Sequence, residues 1–169
     1  ATGGFADAAL IEALPALKVI SSFGVGVDKI DLATAGRRGV LVGNTPDVLN
    51  DCVADLALGL MIDVARGMSA SQRHLRRGDW PKANYPLQCR VSGKRVGIVG
   101  LGRIGKAIAH RAAAFNMELR YHNRHPAADT KIAYAASLIE LARWADFLVV
   151  IVPGGAATRH LINAAVLDA

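Results

Sequence analysis

The chain has 169 residues, enough for one domain with part of another, and 52% of them are hydrophobic with a mean hydropathy of +0.28, which excludes wholesale disorder. Twenty Lys and Arg against 14 Asp and Glu give a formal charge of +6. The basic residues are dispersed, aromatics make up only 5%, and the one dense group, Arg73-His74-Leu75-Arg76-Arg77, lacks interleaved aromatics, so no nucleic-acid partner is expected.

In chain order, Leu17 to Ser21 predicts a short buried strand, followed by a glycine-bearing loop, Phe23 to Asp28. Asp31 is placed to cap a short helix that Gly36 and Gly39 close. Val40 to Val42 predicts a second strand, stopped by Gly43-Asn44-Thr45-Pro46. From Val48 to Arg77 the pattern is helical and ends at Gly78; its first part is apolar almost all round. The most apolar stretch, Cys52 to Met68, is interrupted by Asp55, Asp63 and Arg66, which a bilayer core would penalise, so no membrane association is expected. Residues 79–87 read as a connecting loop. Two cysteines, Cys52 and Cys89, are too few for a disulfide framework, and no leader pattern is visible; the reading is a reducing cytoplasm.

From Lys94 the rhythm becomes strand–helix–strand. Arg95 to Gly100 predicts a buried strand, Arg103 to Asn116 a helix and Leu119 to His122 a second strand, with a break at Pro126. Ser137 to Trp144 predicts a short helix, and Phe147 to Val152 a strand apolar enough for the middle of a parallel sheet, ended by Pro153-Gly154-Gly155. This alternation predicts an α/β fold with a doubly wound parallel sheet. There is no internal repeat and no low-complexity segment.

Gly100-Leu101-Gly102-Arg103-Ile104-Gly105 fits G-x-G-x-x-G at the end of a strand and the start of a helix, with a second strand following at βαβ spacing. Gly100 would permit the tight turn, Gly102 the approach of a pyrophosphate, and Gly105 close helix–strand packing. Backbone amides near Arg103 and Ile104 would meet the phosphate charge. The alternative is a βα turn whose glycines serve packing alone. At the end of the second strand, where a carboxylate for the ribose hydroxyls is expected, stand His122-Asn123-Arg124-His125. Asp129 lies past Pro126. A guanidinium suits a 2′-phosphate, so Asn123 and Arg124 predict NADP(H) ahead of NAD(H); the alternative is a solvated loop arginine.

Several collinear motifs extend beyond this turn. Ser22-Phe23-Gly24-Val25-Gly26-Val27-Asp28, Asn44-Thr45-Pro46-Asp47-Val48-Leu49, Val53-Ala54-Asp55-Leu56-Ala57, Arg76-Arg77-Gly78-Asp79-Trp80, and Val152-Pro153 with Thr158 to Asn163 together resemble the D-2-hydroxyacid dehydrogenases. The Asn-Thr-Pro-Asp-Val-Leu and Asn-Arg features look most like the glyoxylate/hydroxypyruvate reductase branch. The resemblance implies that residues 1–44 are the end of the first segment of a flavodoxin-like substrate domain. Residues 45–169 would be a Rossmann dinucleotide-binding domain, incomplete at its C-terminal side. It implies further that the Val25 and Gly26 amides hold a substrate carboxylate, that Val53 lies near the nicotinamide, and that Val152 and Pro153 border the adenine side with Thr158 close by. Packing roles remain the alternative for each of these.

The resemblance also implies a carbonyl-polarising Arg and a His–Glu pair for proton delivery, and those motifs fall beyond Ala169. The five histidines lack the family's Pro-His context. The expectation is therefore a fragment with no catalytic residue and no activity of its own, taken from an enzyme that transfers hydride between NAD(P)H and a small 2-oxo acid, which the branch resemblance implies to be glyoxylate or hydroxypyruvate. No metal site is expected. A homodimer through the long helix is implied as well. Two other functions stay open at this point: a non-catalytic NAD(H)-sensing corepressor, and a phosphoglycerate- or formate-type dehydrogenase.

Overall fold

A computed structural model describes residues 5–169; the first four residues of the expected 1–44 segment lie outside the described residues. The chain forms two compact units, one comprising Ala1–Leu49 with Pro153–Leu161, the other Asn50–Val152 with Ile162–Ala169.

In the first unit, α1 (Ala8–Ala13) opens at Asp7, whose carboxylate accepts a hydrogen bond from the Leu10 amide at 2.9 Å. Its end is closed from a distance: the Arg38 guanidinium donates to the carbonyls of Ile11, Leu14 and Pro15 at 2.6, 3.3 and 3.1 Å. β1 (Val19–Ser21) leads through the glycine-bearing loop to α2 (Leu32–Arg37), capped by Asp31 at 2.8 Å from the Thr34 amide. That backbone hydrogen bond holds the Asp31 carboxyl below its ordinary range. Gly39, at φ +66°, turns the chain into β2 (Leu41–Gly43), which pairs with β1 in parallel, Val19 opposite Leu41. Ile11, Ala35 and Val40 are the buried centre of this unit.

The second unit opens with a departure from the sequence reading. The helical pattern over residues 48–77 is two helices, α3 (Asn50–Arg66) and α4 (Met68–Arg76), separated by Gly67 at φ +59°. The Tyr85 hydroxyl lies 2.8 Å from where a Gly67 Cβ would stand. The Asp63 carboxylate accepts from both the amide and the hydroxyl of Ser69 at 2.7 Å, satisfying the start of α4. A single helix would leave Asp63 and Ser69 without these bonds.

The sheet is built from β3 (Arg95–Val99), β4 (Glu118–His122), β5 (Ala133–Tyr134) and β6 (Phe147–Val150) in the order β5-β4-β3-β6, all parallel. The connecting helices are α5 (Arg103–Ala114) and α6 (Leu138–Trp144), with α7 (Ala164–Leu167) near the end. The two faces of β3 show the double winding directly. Ile98 is fully buried among residues of α3 and α5, while a Cβ on the next residue back, Gly97, would stand 2.9 Å from the Leu141 side chain on α6. The α/β doubly wound expectation therefore holds. The strand expected over residues 147–152 ends at Val150 and sits at one end of the order rather than its middle, with Val150 exposed. An apolar run reports cover on the faces of a strand and carries no information about neighbours along the sheet.

Candidate functional site

The glycine turn joins β3 to α5, and its three glycines meet different surroundings. Gly100 has φ +102°, and a Cβ there would run into the Ile151 carbonyl and stand 2.9 Å from Val152 Cγ1. Gly105, in the first turn of α5, would drive a Cβ into the Gly100 carbonyl oxygen. Gly102 differs: it is the N-cap of α5, extended at φ −85°, with no side-chain cap, and its Cβ direction meets nothing within 4 Å. Two glycines thus let the backbone pack against itself, and the third leaves open space at a helix start.

The amides along this turn divide in the same way. The Gly100 amide donates to His122 O at 3.0 Å, and the Leu101 amide to Asn123 Oδ1 at 2.7 Å. The helical ladder begins only with Lys106, donating to Gly102 O at 2.9 Å. Helix geometry gives the Ile104 amide before it no intrahelical acceptor, and the dipole of α5 adds positive potential there. Open space, first-turn amides and close packing behind them make a cradle of the size and charge that a pyrophosphate needs, so the residues present fit a dinucleotide.

The end of β4 flanks this turn. Asn123 is partly buried and its carbonyl accepts from the Tyr134 hydroxyl at 3.1 Å. Arg124 is exposed, and among the described residues no hydrogen bond or ion pair engages its guanidinium. Sequence reading placed Asn123 here but missed its bond to Leu101 and the part played by Tyr134. Val152, beyond the end of β6, is half-buried beside Gly100. Val53 is half-buried in the first turn of α3, apart from this group of contacts.

The other candidates belong to the first unit. There the loop after β1 is held by polar side chains at the end of β2. The Gly24 amide donates to Thr45 Oγ1 at 3.1 Å, the Thr45 amide returns a bond to Gly24 O at 2.9 Å, and Asn44 Nδ2 donates to Val25 O at 2.9 Å. Among the described residues no backbone hydrogen bond is made by the Val25 or Gly26 amide of this loop. A cavity of 300 Å³ adjoins it, lined in part by Ser22, Phe23, Gly26 and Asp28. In the sequence Asn44 and Thr45 read as a strand stop and as part of a family motif, not as partners of this loop. Further along, the Thr158 hydroxyl donates to Pro153 O at 2.7 Å and shapes the turn from Pro153. Among the described residues, no group of His, Cys, Asp or Glu could hold a metal ion.

Comparison with known proteins sets these features in context. The model of a family described as D-isomer specific 2-hydroxyacid dehydrogenase, NAD binding domain, matches residues 58–169. The chain is 49% identical over 164 residues to hydroxyphenylpyruvate reductase of Plectranthus scutellarioides and 46% identical over 164 residues to a glyoxylate/hydroxypyruvate reductase of Arabidopsis thaliana. Each alignment takes in 97% of this chain and 52% of the relative. Among solved structures, the NADPH-dependent glyoxylate/hydroxypyruvate reductase of Sinorhizobium meliloti, in complex with NADP and malonate, superposes with a TM-score of 0.90 at 41% identity, covering 98% of this chain and 52% of that one. The chain thus spans about half the length of the relatives it matches.

Proposed function

We propose, from the premise that this chain belongs to the D-isomer specific 2-hydroxyacid dehydrogenases, that the whole protein reduces a small 2-oxo acid to its D-2-hydroxy acid with NADPH in preference to NADH. Glyoxylate and hydroxypyruvate are the proposed substrates. The observation that carries this reading is the glycine turn, in which Gly100 and Gly105 exclude any Cβ while Gly102 opens a helix start to solvent.

On this reading the first-turn amides of α5 hold the pyrophosphate, and Asn123 and Arg124 meet the adenosine ribose and its 2′-phosphate. Val152, Pro153 and Thr158 border the adenine, and Val53 the nicotinamide. The bound cofactor supplies the hydride; the chain's own part is to bind and orient. The Val25 and Gly26 amides take the substrate carboxylate, an anion cradle that needs no cationic side chain. The NADP bound to the Sinorhizobium meliloti relative supports the cofactor preference, as does the absence of a carboxylate among His122 to His125. Residues 1–44 are read as part of the substrate domain and 45–169 as the cofactor domain.

The remaining parts of the proposal concern assembly and location. The exposed apolar face of α3 is assigned to a homodimer contact. Unpaired, exposed Cys52 and Cys89 fit a reducing cytoplasm, and no helix among the described residues is long and apolar enough to cross a membrane.

The test is a steady-state scan of the full-length protein with glyoxylate, hydroxypyruvate and 4-hydroxyphenylpyruvate, each with NADPH and NADH. Highest kcat/KM for glyoxylate or hydroxypyruvate with NADPH is the expected result. Preference for the aromatic acid, a second reading favoured by the Plectranthus scutellarioides relative, would reassign the substrate. No turnover of any 2-oxo acid would move the protein to the non-catalytic sensor class.

A further inference from the structure

We propose that Asn123 is a positioning residue: it locks the glycine turn to the end of β4, and the orientation this imposes on its amide leaves a hydrogen-bond donor, not an acceptor, for the adenosine side of the cofactor. The inference rests on the reading of that turn as a dinucleotide cradle and deepens it.

Asn123 Oδ1 accepts the Leu101 amide at 2.7 Å across 22 residues of sequence. Leu101 lies inside the turn, and its side chain is buried in the core of the second unit, so the residue is fixed from both ends. The neighbouring Gly100 amide is already tied to His122 O at 3.0 Å, which makes consecutive residues of the turn hang from the last residue of β4 and the residue that follows it. Asn123 itself is held in place. Its carbonyl accepts from the Tyr134 hydroxyl at 3.1 Å, and the Tyr134 ring stacks on His122 and tilts against the buried Tyr121, with centroids 6.3 and 5.4 Å away.

This fixes which way the amide faces. An asparagine can present either an acceptor or a donor pair to a ligand. Here the oxygen branch must face the Leu101 N–H, so the Nδ2 amino group is the branch turned away from the turn. A ribose diol is held best by an acceptor, and a 2′-phosphate by donors. Nδ2 followed by the Arg124 guanidinium gives the end of β4 donors in succession. The lock and the cofactor preference are therefore two consequences of one hydrogen bond.

The experiment measures amide exchange at Leu101 in the cofactor-free, full-length protein, together with dissociation constants for NADPH and NADH, in wild type, Asn123→Ala and Asn123→Asp. Alanine removes the acceptor. Exchange at Leu101 should accelerate at least about tenfold, NADH should weaken by about tenfold through the lost lock, and NADPH should weaken further because the Nδ2 donor is lost as well. Aspartate keeps an acceptor for Leu101 but removes the donor and adds charge. Leu101 should stay protected while the preference for NADPH over NADH falls by about tenfold or more.

Unchanged Leu101 exchange in Asn123→Ala, with only NADPH weakened, would overturn the lock and leave Asn123 a plain ligand contact. Loss of protection in both variants alike would overturn it too, because the aspartate retains the acceptor. Wild-type protein that binds neither cofactor would sink the dinucleotide reading and the donor surface with it, whereas the exchange measurement still decides the lock.

Discussion

Gly102 and Gly105 stand three residues apart in one motif, yet their substitution should separate binding from folding. A methyl on Gly105 meets the Gly100 carbonyl, so α5 must move off β3, at a cost of about 1–3 kcal/mol by analogy with overpacked cores. A methyl on Gly102 meets nothing in the chain, and its extended backbone suits any residue. Gly102→Ala should therefore keep stability within about 0.5 kcal/mol, as at unconstrained surface sites, and instead weaken NADPH by crowding the pyrophosphate. Thermal denaturation beside calorimetric titration checks the pair; equal stability losses would show that Gly102 too is a packing glycine. Arg124→Ala should weaken NADPH by about ten- to a hundredfold, the worth of charge-assisted bonds to a phosphate, and leave NADH nearly unaffected. Equal losses for both cofactors in the same titration would return Arg124 to the role of a solvated loop residue. The spacing of the glycines makes this turn legible in the sequence, because each step of G-x-G-x-x-G restricts local backbone. The Leu101–Asn123 bond is not legible, since it depends on the register that sets β4 beside β3.

The elements that the sequence makes legible are those whose signals are local. Asp31 before α2 and Ser137 before α6 each cap the helix that follows, and the apolar runs at β3 and β6 are strands. Two features escape for the same physical reason, that their cause is tertiary. β5 is only two residues long and exists by pairing with β4. The break between α3 and α4 falls at a glycine that helical periodicity runs straight through, and only the packing of Tyr85 and the cap from Asp63 show why the chain turns there. Gly67→Ala places a Cβ at φ +59° and against the Tyr85 hydroxyl, so unfolding free energy should fall by about 1–3 kcal/mol, measurable by urea denaturation. A stabilised variant would mean that α3 and α4 can run on as one helix. The start of β3 carries a pH signature of its own. The Arg95 side chain, then its amide at 2.8 Å, and nearby Lys94 hold the Asp146 carboxyl below its ordinary range. Its folded pKa lies under the unfolded value of about 3.9, so its contribution is complete above that value and is lost as pH falls through the folded one. Melting temperature should drop as pH falls below about 4, and Asp146→Asn should flatten that part of the curve. An unchanged slope in the variant would assign the acid sensitivity to other carboxylates, Asp63 and Asp79 among them, which are also held low by hydrogen bonds.

At the scale of the whole molecule, α3 has two apolar faces and the second unit covers only one of them. Ala54, Leu58, Met61 and Ala65 are buried along one side, against a core that includes residues of α5. Arg111 of α5 fastens the helix there through Asp51 at 2.9 Å and Asp55 at 2.5 Å. On the far side Leu56, Leu60 and Val64 follow one another at four-residue spacing and are 61%, 56% and 75% exposed. An all-round apolar helix is legible in the sequence, but what covers its second face is not, because periodicity cannot distinguish another part of one subunit from a second subunit. The proposed occupant is a second copy of the chain across a twofold axis. In such a contact each residue appears twice, so one substitution acts on both sides of the interface. Burying one leucine side chain contributes about 1.5–3 kcal/mol, and a carboxylate left in its place would be buried without a partner. Leu60→Asp should therefore convert a dimer into a monomer at micromolar concentration, with little change in circular dichroism because Leu60 faces away from the core of its own unit. Sedimentation velocity of the full-length protein, wild type beside variant, reads the result directly. Wild type sedimenting as a monomer would remove the dimer contact. A variant that stays dimeric but melts earlier would instead place this face of α3 under another part of its own subunit.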